Sequence, residues 1–391
     1  MSEYLLTRYL YAKDEVELSL ITAVLQKRGI DECYYWGYEL YYSGFDVFQL
    51  LWKMYYDFYF ENNPGLEPHI REKEKLWRRN GGAHYVAGVI SNLVSSSSVP
   101  SDTVFIMRQY VDRVARGSAE RGFVARGRPP RWCSDYDTKY RPLLMSIYKG
   151  GHRTIALHVY RLLEGVGANR VATADLFAVL LRYFASVRKT TCLDYETCTE
   201  SYAKIADRRC ASVSVCHWFI ALIVNLMAWR GGDAEGFRIR IYDKPTLDKI
   251  RDDEEAVETF GVRWTLPYKR EFGTVRALGG FALARDGLGG DLCEEALGRW
   301  ERYIWGTPCW RERLVAFRAE LVGDRIEFEN DDWLEEFYEA YGYEPDEQTA
   351  VTQHQSVGPI GGAWYESVFN DGGADKVLPC ISFNEGVLFV Y

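Results

Sequence analysis

Catalysis in this chain would require a nucleophile with its base, a metal site or a phosphate cradle, and the residues able to supply them are few and scattered. Cys192, Cys198, Cys210, Cys216 and His217 come closest to a metal pattern. Zinc ligands usually come in pairs two to four residues apart, whereas positions six apart on a helix point to different faces. Small buried thiols are therefore expected there, and no metal or other cofactor is assigned. The glycine-rich stretch 279–290 (GGFALARDGLGG) lacks the Gly-Lys-Ser/Thr of a phosphate-binding loop, and its glycines do not form the dinucleotide fingerprint. Neither Gly-x-Ser-x-Gly nor His-Glu-x-x-His occurs. The six histidines, His69, His84, His152, His158, His217 and His354, are dispersed. No catalytic residue is assigned, and the reading leans away from an enzyme, with an unrecognised hydrolase or thiolate-metal protein as one alternative.

Two other features carry binding chemistry. Between residues 34 and 60 lie 14 aromatic side chains, among them Tyr34, Tyr38, Tyr41 and Tyr42 on one expected helix and Trp52, Tyr55, Tyr56 and Tyr59 on the next. An amphipathic helix buries one stripe, so two neighbours are not expected to hide every ring against each other. Tyr and Trp are favoured at interface centres, which makes these eight residues the candidate partner-binding set beside the plainer reading of core packing. The second feature is Arg108, Arg113, Arg116, Arg121, Arg126, Arg128 and Arg131 against Asp112 and Glu120, a local net of +5. Clustered guanidinium groups grip phosphates bidentately, so they form the candidate phosphate-binding set. The plainer reading is a solvated loop facing the acidic stretch 320–347.

The elements that would position these residues are mainly helical. Val16, Leu20, Ala23 and Val24 share a face and predict a helix over 13–28, stopped by a left-handed Gly29. Asp31 is expected to cap a second helix ending near Tyr42. A third covers 45–61, stopped by Asn62-Asn63-Pro64. Further helices are expected at 67–79, 83–94, 102–116, 143–148, 155–164, 173–189, 195–207 and 212–229. After Gly231-Gly232 the alternation of Phe237, Ile239 and Ile241 with charged neighbours predicts a strand, with short extended pieces near 262–266 and 274–278. Helices at 246–260, 292–303 and 310–322 complete a small α+β region. From 320 to 347 there are twelve acids and one base, read as a mobile acidic connection into a Gly-rich tail. The expected organisation is an N-terminal helical domain (1–116), an Arg/Gly/Pro-rich linker (117–137), a central helical segment (138–232), the α+β region (233–330) and the acidic tail (331–391).

Composition bounds the class. Apolar residues are 47% and charged residues 26% of 391, so a sizeable core is expected and wholesale disorder is not. The net charge of -9 argues against a general polyanion-binding surface, while leaving room for local basic patches. Nine cysteines, an odd number without framework spacing, read as reduced thiols. The opening residues show no basic-then-apolar signal pattern, and neither end encodes a lipid anchor. The run from Trp218 to Trp229 is too short for a membrane span.

The stretches KDEVELSLITAVL, WGYELYYSGFDVFQLLWKMYYDFYFENNP and FYEAYGYEPDEQ resemble an uncharacterised protein family of the nucleocytoplasmic large DNA viruses. The close matches cover about residues 12–64 and 336–348. PYKREFGTVRALGG and RWERYIWGTPCWRERL are similar in layout more loosely, and the arginine-rich loop has no counterpart. The resemblance implies a viral protein of the host cytoplasm or the particle and brings no catalytic residues. The expected function is a non-enzymatic protein-interaction or structural protein of a large DNA virus, a virion (minor capsid) or assembly component with a viral protein partner. The other alternative is a nucleic-acid-associated accessory factor acting through the 108–131 arginines.

Overall fold

In the computed structural model the described residues are 4–8, 10–25, 27, 29–96, 101, 103–115, 129–164, 170–189, 212–228 and 298–341. They are mostly helical, with one two-stranded antiparallel sheet near the C-terminus. No helix among them is long and apolar enough to cross a membrane. The strand expected at 237–242, the extended pieces near 262–266 and 274–278, the helices at 195–207 and 246–260, and the tail beyond Tyr341 lie outside them.

Helix α1 (Lys13–Leu25) opens with Asp14 and Glu15, placed where the helix dipole favours carboxylates. Its stop differs from the expected one. Lys27, not Gly29, takes the left-handed conformation (φ 51°), held there as its ammonium donates to the Ser96 carbonyl at 2.6 Å. Gly29 instead occupies the cap position of α2 (Ile30–Tyr42), and no side chain caps that helix, so Asp31 sits inside its first turn rather than before it. Helix α3 (Val47–Met54) is shorter than expected and widens into a π-helical turn, Tyr55–Tyr59, four of whose five residues are buried. Helices α4 (Glu67–Asn80), α5 (Ala83–Ser95) and α6 (Thr103–Ala115) follow the expected bounds closely.

α5 is the axis of the N-terminal helices, touching α1, α2, α3 and α4. Gly37 on α2 allows the closest approach, because a Cβ there would strike the Ile90 side chain of α5. A second layer is built by α6, α7 (Arg141–Lys149), α8 (His152–Leu163) and α10 (Ser212–Ala228), with α9 (Arg170–Tyr183) followed by a second π-helical turn, Phe184–Arg188. The first π turn joins the layers by packing on α6 and α10, and Asn225 of α10 donates to the Phe60 carbonyl at 3.0 Å. One continuous apolar core results, from Tyr11 to Leu226. Cys216 is part of it, in keeping with the buried-thiol reading, while Cys192, Cys198 and Cys210 lie outside the described residues.

The C-terminal module comprises α11 (Trp300–Trp305), α12 (Pro308–Ala316), the hairpin β1 (Ala319–Val322) and β2 (Arg325–Phe328), and α13 (Asp331–Tyr341). Ala319 lies opposite Phe328 and Val322 opposite Arg325, leaving Gly323 (φ 67°) and Asp324 as a two-residue turn. The helix expected over 310–322 therefore ends at Ala316, and 320–341 is ordered rather than a mobile connection. The acids in that stretch mask a small apolar set, Ile326, Phe328 and Phe337, gathered on Trp310. Asn330 caps α13 by accepting the Trp333 amide at 3.0 Å.

This module is fastened to the N-terminal arm. Tyr4, Leu6, Leu10 and Ala12 share its core, the Thr307 hydroxyl donates to the Leu6 carbonyl at 2.6 Å, and the Trp310 indole donates to the Thr7 carbonyl at 3.0 Å. Gly44 (φ 87°) lets the α2–α3 turn sit against Pro308, whose Cβ a side chain at 44 would meet at 2.5 Å.

Candidate functional site

The structure encloses the tyrosine-rich opening helices within the chain. Tyr34, Tyr38, Tyr55 and Tyr59 are at most 2% exposed, which removes them as a docking face. The Tyr34 hydroxyl bonds Ser91, Tyr55 donates to the Asn63 carbonyl at 2.9 Å, and Tyr59 reaches the Val24 carbonyl at 3.5 Å. Burial pushes the Tyr55 and Tyr59 hydroxyls above the usual phenol range, so both remain protonated donors. The other four rings are half-buried against the same core and anchored by their polar edges. Trp52 donates to Glu74 at 2.8 Å and Tyr56 to Glu67 at 3.2 Å, Tyr41 accepts the Gly82 amide at 3.0 Å, and the Tyr42 face carries the Arg8 guanidinium at 4.9 Å. The expectation that two helices could not cover so many rings overlooked α4 (EPHIREKEKLWRRN). Its hydrophilic sequence hides a lid whose buried Glu67 and Glu74 accept from the rings beneath.

The arginine set is not one patch either. Arg108 points inward from α6 and pairs with Asp57 of the first π turn. Asp57 is 1% exposed, so this guanidinium is committed to a buried ion pair and the phosphate-binding assignment of Arg108 is corrected. Arg113 belongs to α6, and Arg116, Arg121, Arg126 and Arg128 lie outside the described residues. Arg131 is exposed, at the start of a 3-10 turn (Arg131–Asp135) within what reads as linker from sequence.

That turn leads to a site the sequence reading missed. Trp132, half-buried, is the hub of three rings: Tyr183 at 5.1 Å, Tyr148 at 5.7 Å and Tyr136 at 6.1 Å between centroids. Tyr136 and Tyr183 are buried and form the floor, whereas Tyr148, on the last turn of α7, is 49% exposed. The Tyr136 hydroxyl bonds Ser186 at 3.1 Å. The Tyr183 hydroxyl is buried without a hydrogen-bond partner among the described residues, and burial pushes its pKa up to about 12 despite Arg188 nearby.

Cations surround the hub. Arg182 stacks over Tyr136 at 5.3 Å, and Arg141 donates to the Tyr136 and Ser134 carbonyls. Arg131, Arg182 and Arg188 are exposed, and none has a carboxylate within ion-pair distance among the described residues. Elsewhere several arginines are paired, Arg8 with Glu39, Arg71 with Glu67, Arg78 with Glu74 and Asp46, Arg302 with Asp324 and Arg318 with Glu329. Arg79, Arg161 and Arg311 also have no carboxylate within ion-pair distance among the described residues. A signal was present in the sequence. Residues 101–189 hold 16 Lys and Arg against seven Asp and Glu, a net of +9 inside a chain of net -9.

Among known proteins, no family model, no curated protein and no solved structure matches the chain. The site has therefore to be read from its own chemistry. Titration at the buried histidines does not make one: His69 and His158 sit on different helices, and burial lowers both. No group of three or more His, Cys, Asp or Glu able to hold a metal occurs among the described residues. The Cys309 thiol, near Arg8 and Glu39, is pushed up to about 11 by burial, which makes it a poor nucleophile.

Proposed function

We propose that this chain is a non-enzymatic interaction protein, a structural or assembly component of a large DNA virus, that meets its partner on the basic face around Trp132. One observation carries the choice of face: among the described residues Arg131, Arg182 and Arg188 have no carboxylate within ion-pair distance beside a half-open ring cluster, while Arg8, Arg71, Arg78 and Arg108 of the N-terminal bundle are paired. Exposed cations without partners cost nothing to keep solvated, and they gain free energy when an anionic surface arrives. The enclosed rings of residues 34–60 support a scaffold rather than a docking surface. The viral setting is supported by the resemblance of residues 12–64 and 336–348 alone.

Two measurements test the reading. Proteomics of gradient-purified particles is expected to recover the chain, and its absence there would remove the virion role. Affinity capture from infected cells is expected to recover a partner with the wild-type chain that is lost with the triple variant Arg131→Glu, Arg182→Glu, Arg188→Glu. An unchanged partner set would remove the Trp132 face from the reading.

A further inference from the structure

We infer that the Trp132 face binds single-stranded nucleic acid, stacking a base on Tyr148 beside Trp132 and holding the flanking phosphates with Arg131, Arg182 and Arg188. The inference rests on the reading of this face as an interaction surface and names what it takes.

The rings supply the first half of the argument. Tyr148 is half exposed although it sits 5.7 Å from the half-buried Trp132, in a cluster whose other two members, Tyr136 and Tyr183, are buried. A ring at that exposure is an unfilled stacking platform. An unpaired base has a free π face for it, whereas the bases of a duplex are already stacked on each other. The floor is fixed: Tyr136 and Tyr183 are held under Trp132 by packing, and Arg182 lies over the Tyr136 ring. The platform is thus preorganised, and little side-chain freedom is lost on binding.

The cations supply the second half. Arg131 adjoins Trp132, Arg182 contacts Tyr136, and Arg188 acts on Tyr183. The Arg182 guanidinium thus lies on the ring cluster, and Arg131 and Arg188 come from the segments that carry its rings, none with a carboxylate within ion-pair distance among the described residues. Guanidinium is weakly hydrated and planar, which suits it to phosphate oxygens and to base faces alike. The exposed Asp135, Asp137 and Asp175, the last acting on Lys139, are acids of this region. Asp137 stays ionised, since the Lys139 amide donates to it and lowers its pKa. They bound the face on one side and disfavour phosphates there. A net charge of -9 repels a polyanion from the rest of the surface, so attachment is concentrated where the sign reverses.

The test uses the full chain and a fluorescein-labelled thymidine oligonucleotide of about 20 nucleotides, read by anisotropy, with a duplex of the same length in parallel. The expected result is tighter binding of the single strand, with log affinity falling against log salt by about 0.7 per phosphate contacted. Tyr148→Ala is expected to weaken the single strand by roughly tenfold, and Tyr148→Phe to retain it, because stacking needs the ring and not the hydroxyl. Arg182→Glu with Arg188→Glu is expected to flatten the salt slope, while Arg79→Glu, at the exposed end of α4, leaves it unchanged. Thermal unfolding followed by circular dichroism confirms that each variant is folded. Duplex bound as tightly as single strand, or affinity indifferent to Tyr148→Ala, overturns the inference. Should the oligonucleotide fail to bind at about 50 mM salt while the triple glutamate variant still loses its captured partner, the occupant is an acidic protein: the inference falls and the interaction face stands.

Discussion

The opening helices and the Trp132 face both set aromatic rings beside arginines, and they use them in opposite ways. In residues 34–60 the polar edges of most candidate rings meet groups of the same chain, as Trp52 does on Glu74 and Tyr55 on the Asn63 carbonyl. Two arginines of the helices packed against them are equally committed, Arg108 to Asp57 and Arg71 to Glu67. Around Trp132, Tyr148 remains half exposed and three arginines lack carboxylates among the described residues. Ring abundance alone therefore reports how much core a chain builds. Rings left open beside unpaired charge report a surface that something else completes.

The contrast is broken most directly at Asp57. Removing one partner of a buried pair strands the other, so Asp57→Ala is expected to cost about 3–5 kcal/mol in urea unfolding. Replacing both partners, Asp57→Leu with Arg108→Met, should recover most of that loss. A cost of about 1 kcal/mol or less for Asp57→Ala would place the pair with ordinary surface bridges and dissolve the distinction between the two regions.

A second, smaller effect is expected where the C-terminal module meets the α2–α3 turn. Gly44→Ala adds a Cβ at a positive φ and against Pro308, for about 1–3 kcal/mol. Hydrogen exchange should show 298–341 loosening before the bundle; uniform loosening would mean that the module is not separately fastened. Next comes Trp52→Phe, which keeps an aromatic ring but trims the indole and deletes the donor to Glu74, with at least about 1 kcal/mol expected from denaturant melts. No change would show the α4 lid to be held by apolar contact alone.

The histidine prediction has a sign rather than a size. Burial, with Lys73 beside it, lowers the His69 pKa below 6.5, and its Nε2 faces the Asn92 amide at 3.3 Å. The unfolded chain then takes up the proton first, near pH ~6.5, so this contribution to stability is full above that pH and declines as pH falls below it. His69→Gln should flatten the acid limb of stability against pH, and an identical limb in the variant would discard the account. Smallest of all, Arg131→Glu, Arg182→Glu and Arg188→Glu are each expected to shift stability by no more than about 0.5 kcal/mol. Strong destabilisation by any of them would reveal a structural partner and sink the idea of an open face.

Helices α4, α5 and α6 are legible in the sequence nearly residue by residue, because their apolar spacing, glycine breaks and proline starts are local signals. The hairpin at 319–328 is not, since its four-residue strands alternate too briefly to stand out from a run of acids. The Trp132 site is half legible: its charge is written in residues 101–189, but only the fold brings Trp132 against Tyr148 and Tyr183, 16 and 51 positions later.

By itself the sequence determined a mainly helical chain, since helix formation reads neighbours three and four residues away. What the tertiary structure decided is which rings and charges are satisfied. Satisfaction is a property of partners far along the chain: Arg108 is silenced by Asp57, and Trp52 and Tyr56 by the carboxylates of α4, whereas Arg182 meets no acid at all among the described residues. No count of residue types distinguishes those fates, because burial and pairing are set by packing.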